Sequence, residues 1–214
     1  MKQLFCSILI LLNLAGCSYN HKLIPTEDIQ NSSESSKPSI LAIDARNLQG
    51  LSVTANPGAV HLTVEYGDAL IQSIKNRAKY HFKKVHIIKD LSDTEYYDFL
   101  MQIRPNITTA CGGSSCSINN TISVNIKKNI NDKKNLLTEN FNDQYVWQQP
   151  GGTIAIGIIS GFTLCVICPI TIPAAVDMEG EELSNQVSQS NERISARISE
   201  ILGSSDIFKS QTSN

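Results

Sequence analysis

Apolar and polar positions change texture along the chain, and each change predicts an element. An apolar run follows Met1, Lys2 and Gln3 and closes on Leu14, Ala15, Gly16 and Cys17. Residues 18–38 are polar, hold Pro25, Pro38 and a serine-rich patch, and show no helix or strand period, which predicts a tether. From Ser39 short apolar stretches alternate with turns. Residues 40–43 read as a strand and Pro57-Gly58 as a turn. Residues 60–66 read as a half-buried strand, with Val60, Leu62, Val64 and Tyr66 on one face and His61, Thr63 and Glu65 on the other. Leu70, Ile71, Ile74, Ala78 and Phe82 then recur at spacings of three and four, which predicts a helix opened by Gly67-Asp68. Asp68 suits its positive end, and Lys75, Arg77, Lys79, Lys83 and Lys84 suit its later turns.

Residues 85–88 predict a short strand, 90–94 a polar turn, and 99–107 a strand that Pro105 assigns to an edge. Residues 116–126 alternate in part, with Ile118, Thr121, Ser123 and Asn125 on one side and Ile122, Val124 and Ile126 on the other. Residues 131–149 carry Leu136, Leu137, Phe141, Tyr145, Val146 and Trp147 and predict a further strand, ended by Pro150-Gly151-Gly152. From Gln148 to Val176 no residue is charged, and 153–176 is long enough to cross a bilayer as a helix. Three readings stay open for it: a spanning helix, a membrane-dipping hairpin bent at Pro169 and Pro173, and a buried core element. Gly157, Gly161 and Cys165 recur every four residues, a spacing that lets helices approach closely and self-associate in a membrane. After Gly180, the stripe Leu183, Val187, Ser190, Ile194, Ile198 and Ile201 predicts an amphipathic helix. It could pack on the sheet or pair with a second copy; the polar Ser190 and the short span favour packing within the chain.

The fold class expected is α+β: a mixed or antiparallel sheet with one packed amphipathic helix, an apolar membrane-like segment and a C-terminal amphipathic helix. The expected divisions are a signal peptide at 1–16, a lipidated cysteine and tether at 17–38, and an α/β periplasmic domain at 39–149. An apolar segment at 150–179, a helix at 180–203 and a disordered tail at 204–214 complete them.

The 214 residues carry a formal charge of −2 and no basic stripe, which argues against a nucleic-acid partner. Of six cysteines, Cys6 falls in the first apolar run. Cys111, Cys116, Cys165 and Cys168 are disulfide candidates, with three connectivities open. Cys111-Gly-Gly-Ser-Ser-Cys116 would sit at a hairpin neck, where a local bridge pins the register, and no histidine stands near to complete a zinc set. Cys165-Val-Ile-Cys168 has dithiol spacing, but redox work needs a stabilised thiolate, and no lysine, arginine or histidine lies in its apolar run. His21, His61, His81 and His86 follow no metal spacing, and no nucleophile elbow, phosphate loop or zinc-protease motif is present. Glu65 and Asp68 read as helix-start charges rather than an acid/base pair. Neither a cofactor nor a metal is called for.

Leu14-Ala15-Gly16-Cys17 after a cationic start resembles the lipobox of bacterial lipoproteins. The resemblance implies that residues 1–16 are removed and that Cys17 carries a diacylglycerol thioether and an acylated amino terminus, palmitate among the chains. Ser18 is similar to the residue that follows the cysteine in lipoproteins sorted to the outer membrane, which implies a domain facing the periplasm, where disulfides are permitted. The order strand, strand, helix, strand, strand over 39–110, with Gly67, Ala69, Leu70, Phe82 and Val85, resembles small α/β lipoproteins of Gram-negative envelopes, including auxiliary lipoproteins of transport and surface-assembly systems. That implies a non-enzymatic accessory or assembly subunit that binds the bilayer through Cys17 and other envelope proteins through its domain. Two alternatives remain: a self-associating membrane component using 153–176, and a thiol redox protein using Cys165 and Cys168.

Overall fold

The computed structural model describes residues 18–25, 39–56, 61–90, 96–128, 132, 134–149, 168–204 and 208, with the side chains of 168–175 left aside. In chain order these form β1 (Ser18–Lys22), β2 (Ile40–Asp44), β3 (Ser52–Ala55), β4 (His61–Glu65), α1 (Gly67–Ala78), β5 (Lys84–Ile88), β6 (Phe99–Gly112), β7 (Ser115–Lys127), β8 (Leu137–Gln148) and α2 (Cys168–Ser204). One sheet has the order β1-β4-β3 and the other β5-β2-β6-β7-β8. β2 runs parallel to β5 and β6, while β6, β7 and β8 form an antiparallel ribbon, so the fold is mixed α+β.

Alternation decides which side of each strand faces the core. In β7 every second residue from Cys116 to Ile126 is buried, and Ser117, Asn119, Thr121, Ser123 and Asn125 face outward. Ile118 therefore shares the inner face with Ile122, not the outer face with Thr121, because the strict two-residue period leaves no room for the mixed assignment. Leu41 and Ile43 of β2, Leu62 and Val64 of β4, Leu70 and Ile74 of α1, and Leu183, Val187, Ile194 and Ile198 of α2 meet in one core. Each such buried aliphatic side chain contributes about 1.5–3 kcal/mol. The α2 stripe thus packs within the chain.

α1 stops at Ala78, and Phe82 lies beyond it. The Phe82 ring is nonetheless buried, edge-on to Phe99 and Phe208. Phe208 belongs to the stretch expected as a disordered tail, yet it is buried against both rings. Gly67 opens α1 because a Cβ there would collide with the Leu48 carbonyl oxygen.

Several expectations change. Residues 18–22, expected as part of a tether, form β1, which pairs in parallel with β4 in the register Tyr19↔Leu62. Backbone pairing, to which a polar sequence is no obstacle, makes that strand. β3, a strand not expected, pairs antiparallel with β4, while the turn expected at Pro57-Gly58 and the expected strand position Val60 lie outside the described residues. β6 lies between β2 and β7 from Leu100 to Gln102, where β2 stops. Pro105 follows, in the half of β6 whose one described strand neighbour is β7. α2 begins at Cys168 rather than near 180 and continues through Pro169 and Pro173, with no hairpin bend there. The first turn of a helix tolerates Pro169 because its N–H groups have no intrahelical acceptor, whereas Pro173 stands in the second turn and forgoes one backbone hydrogen bond. Among the described residues no helix is long and apolar enough to cross a membrane. Residues 150–167, with Gly157, Gly161 and Cys165, lie outside the described residues, as do residues 1–17 with Cys17.

Candidate functional site

β1 starts at Ser18, the residue that follows Cys17 in the sequence. Around that start several distant segments gather. The Tyr19 ring lies over Gly180 of α2, where any Cβ would run into it. The neighbouring Glu179 is fully buried and accepts a 2.6 Å hydrogen bond from Gln149 Nε2. Gln149 N in turn donates to Ser114 O at 2.7 Å, in the turn of the β6–β7 hairpin. Gly113 takes φ +62 there, a left-handed conformation that favours glycine. Behind the turn Cys111 and Cys116 face each other in register and form a disulfide, with Cα atoms 4.0 Å apart. One pole of the molecule thus joins the start of β1, the end of β8, the disulfide hairpin and the Glu179-Gly180 stretch of α2.

Lys22 closes β1 between Glu65 Oε1 at 3.0 Å and Asp68 Oδ2 at 2.7 Å. The two carboxylates hold this ammonium above its ordinary range, Asp68 first and Glu65 second. The three groups are exposed, so they fix register more than they stabilise. Tyr66, not Asp68, occupies the N-cap of α1, with no side-chain cap bond.

A second polar set lines the seam of α2 with β8 and α1. Ser190 Oγ donates to Asp143 Oδ2 at 2.6 Å, and the Arg193 guanidinium donates to both Asp143 oxygens at 2.7 and 2.9 Å. The polar interruption of the α2 stripe is therefore its dock on β8. Arg77 donates to Ser195 Oγ at 3.0 Å and Glu192 Oε2 at 2.6 Å. Asn120 donates to the Tyr66 hydroxyl at 3.2 Å, and burial pushes the Tyr66 and Tyr145 phenols upward.

His81 Nε2 lies 2.9 Å from Ser199 Oγ, a pair separated by 118 positions that no spacing in the sequence could announce. The imidazole also packs against Gly203, so the pair closes the helix–helix seam. A groove among the described residues lies elsewhere, lined by Asn47, Leu51, Arg104 and Pro105. His61 instead meets Asn56 Oδ1 at 2.9 Å. Among the described residues no three of His, Cys, Asp and Glu gather as metal ligands. Cys165 of the candidate dithiol lies outside the described residues, and the Cys168 side chain is among those left aside.

No protein-family model matches the chain, and no curated protein matches it. Solved structures similar to it include protein XCC0632 from Xanthomonas campestris, of family-model DUF330, at 13% identity and TM-score 0.43, covering 87% of this chain and 95% of that one. Protein CT253 from Chlamydia trachomatis, described as hypothetical, is 11% identical with TM-score 0.39 over 77% of this chain and 98% of that one. A protein from Caulobacter crescentus CB15 described as "a putative lipoprotein" is 6% identical with TM-score 0.32 over 77% and 90%.

Proposed function

We propose that the protein is a non-enzymatic, lipid-anchored envelope protein, an accessory or assembly subunit that binds other envelope proteins from the periplasmic side of the outer membrane. The observation that carries this reading is the position of β1, which is paired to β4 from the first residue after Cys17. A diacylglycerol on Cys17 would be bonded to a folded sheet without a spacer. The Ser18 pole would then rest on the bilayer, and the domain would stand in one orientation. Two or more acyl chains hold where a single chain gives only marginal binding. α2 carries the seam at His81 and Gly203 away from that pole, about 36 Å along its axis from Glu179 at 1.5 Å per residue, and so presents the far end to partners.

Replacing Cys17 by serine in the full chain tests the anchor. The parent should take up labelled palmitate and fractionate with membranes, and the variant should do neither; label that persists in the variant refutes the anchor. A flexible linker beginning with serine, inserted between Cys17 and Ser18, tests the orientation. It should leave the label intact while abolishing in-cell crosslinks to envelope partners, and unchanged crosslinks would reduce the anchor to simple retention.

A further inference from the structure

We propose that the Cys111–Cys116 disulfide is a redox latch: it holds the tip of the β6–β7 hairpin against the pole where β1, β8 and α2 meet, and its reduction by a dithiol loosens that pole. The proposal does not rest on the lipid anchor, since none of its contacts involves Cys17. The tip has little else to hold it. From Thr108 to Gly112 every residue of β6 is exposed, and the one described strand neighbour there is β7. At Gly112 and Gly113 open space surrounds the place of a Cβ, and two glycines in succession leave the backbone wide conformational freedom unless something restrains it. Cys111 and Cys116 stand directly opposite each other, so their bond closes the last rows of the ribbon covalently. Closing a ring across a sequence separation of 5 confines the tip more than the single row Gly112↔Ser115 beyond it.

What the tip holds lies far along the chain. Ser114 O accepts the Gln149 N–H at 2.7 Å, and Gln149 Nε2 donates to Glu179 Oε1 at 2.6 Å. The next residue, Gly180, lies against the Tyr19 ring of β1. A frayed tip withdraws the first acceptor of this series, and Gln149 then reaches Glu179 from a backbone no longer fixed at Ser114. The two cysteines also differ in access: Cys111 is exposed and Cys116 is fully buried. A thiolate of the incoming dithiol attacks Cys111 Sγ, the bond to Cys116 breaks, and Cys116 leaves as a thiolate that takes a proton from water. The second thiol of the reductant, as its thiolate, attacks the mixed disulfide and releases Cys111, which is protonated in turn. Two electrons thus pass to the protein, and the reductant ends as a disulfide. β7 stays paired with β8 at Cys116↔Trp147, so Cys116 keeps its place and a returning Cys111 closes the same bond on oxidation.

The test is hydrogen exchange read by mass spectrometry on the full chain in detergent. It carries Cys165→Ser and Cys168→Ser, so that dithiothreitol has only Cys111–Cys116 to reduce. Reduction should speed exchange about tenfold or more over residues 111–116, 146–149 and 177–181 and leave residues 70–78 of α1 unchanged, and reoxidation should restore the parent pattern. Cys111→Ser should reproduce the reduced pattern without dithiothreitol. Gln149→Ala cuts the side-chain link to Glu179, so reduction of that variant should still loosen 111–116 and cause no further change at 177–181. Exchange at 177–181 that responds neither to reduction nor to Cys111→Ser overturns the latch. So does a disulfide that resists dithiothreitol in the folded protein, or a reductive change at 177–181 that persists in Gln149→Ala.

Discussion

The two sides of the β6–β7–β8 ribbon are both rich in polar groups, and they differ in where the partners of those groups lie. On the inner side Asp143 binds Ser190 and Arg193 of α2, Asn120 binds Tyr66 at the start of α1, and Gln149, just past β8, binds Glu179. Each bond joins segments far apart in the chain. On the outer side Ser123 binds Asn140 and Thr138 binds Asn125, both between adjacent strands of one sheet. Inner polar groups therefore hold the tertiary structure, because losing one strands its partner in a half-dry seam. Outer groups decorate a surface that the ribbon would keep without them.

The largest predicted effect lies where α2 meets β1. Gly180→Leu would drive a side chain into the Tyr19 ring and should destabilise the protein by about 3 kcal/mol, the upper end for overpacking. Urea denaturation of the full chain measures it, and a loss below about 1 kcal/mol would mean that α2 and β1 separate without cost. Asp143→Ala comes next, at about 2 kcal/mol, since it leaves Arg193 and Ser190 with no acceptor on β8. Ser190→Ala should cost about 1 kcal/mol, as one neutral donor is lost while Arg193 keeps its carboxylate. Equal costs for the two variants would show that the guanidinium finds another partner.

Asp44 is the exception that sharpens the contrast, because it stands beside the outer face and still behaves as an inner residue. Its carboxylate is buried, takes Arg46 Nε and Nη2 at 2.8 and 2.7 Å, and is reached by Gln102 Nε2 at 3.4 Å. Hydrogen bonding from Arg46, the largest cause, holds this carboxyl below its ordinary range against the opposing effect of burial. A depressed folded pKa means that the unfolded chain takes up the proton first. The contribution is thus complete above the usual carboxylate range near pH 4 and is lost as pH falls through the lower folded value. Stability curves against pH for the parent and Asp44→Asn should differ at neutral pH and converge in acid; curves that stay parallel down to about pH 2 would remove the Arg46 pair from the acid response.

What could be read from the sequence followed local periodicity. α1 shows in its three- and four-residue spacing, α2 in a stripe that correctly includes Ser190, and the hairpin in the Cys111-Gly-Gly-Ser-Ser-Cys116 loop. β1 is different: of Ser18 to Lys22 only Tyr19 offers apolar bulk, and its partner strand starts at His61, so no local pattern exists to find. β3 is four residues long and hid inside the loop before β4. The early start of α2 was masked because Pro169, Pro173 and an uncharged apolar composition look the same in a membrane segment and in the first turns of a helix. The rows of amides and hydroxyls on the outer face emerge only when three strands are set in register. Similarly, the His81–Ser199 pair exists only because α1 and α2 pack side by side.

The smallest predicted effect belongs to the centre of the outer face, and it bears on the whole contrast. Thr121→Val keeps the β-branched shape that suits a strand and removes one hydroxyl from a position between Asn106 and Asn142. With nothing tertiary resting on that hydroxyl, stability should change by no more than about 0.5 kcal/mol. Asn142→Asp on the exposed edge strand should stay in the same range, because water solvates the new charge. The informative measurement is the difference between Thr121→Val outside and Ser190→Ala inside, made on the same chain in the same denaturant. Both remove a single hydroxyl, one from the sheet surface and one from the α2 dock. If the outer change costs as much as the inner one, the amide and hydroxyl rows are themselves a stabilising network, and the two sides of the ribbon do the same work.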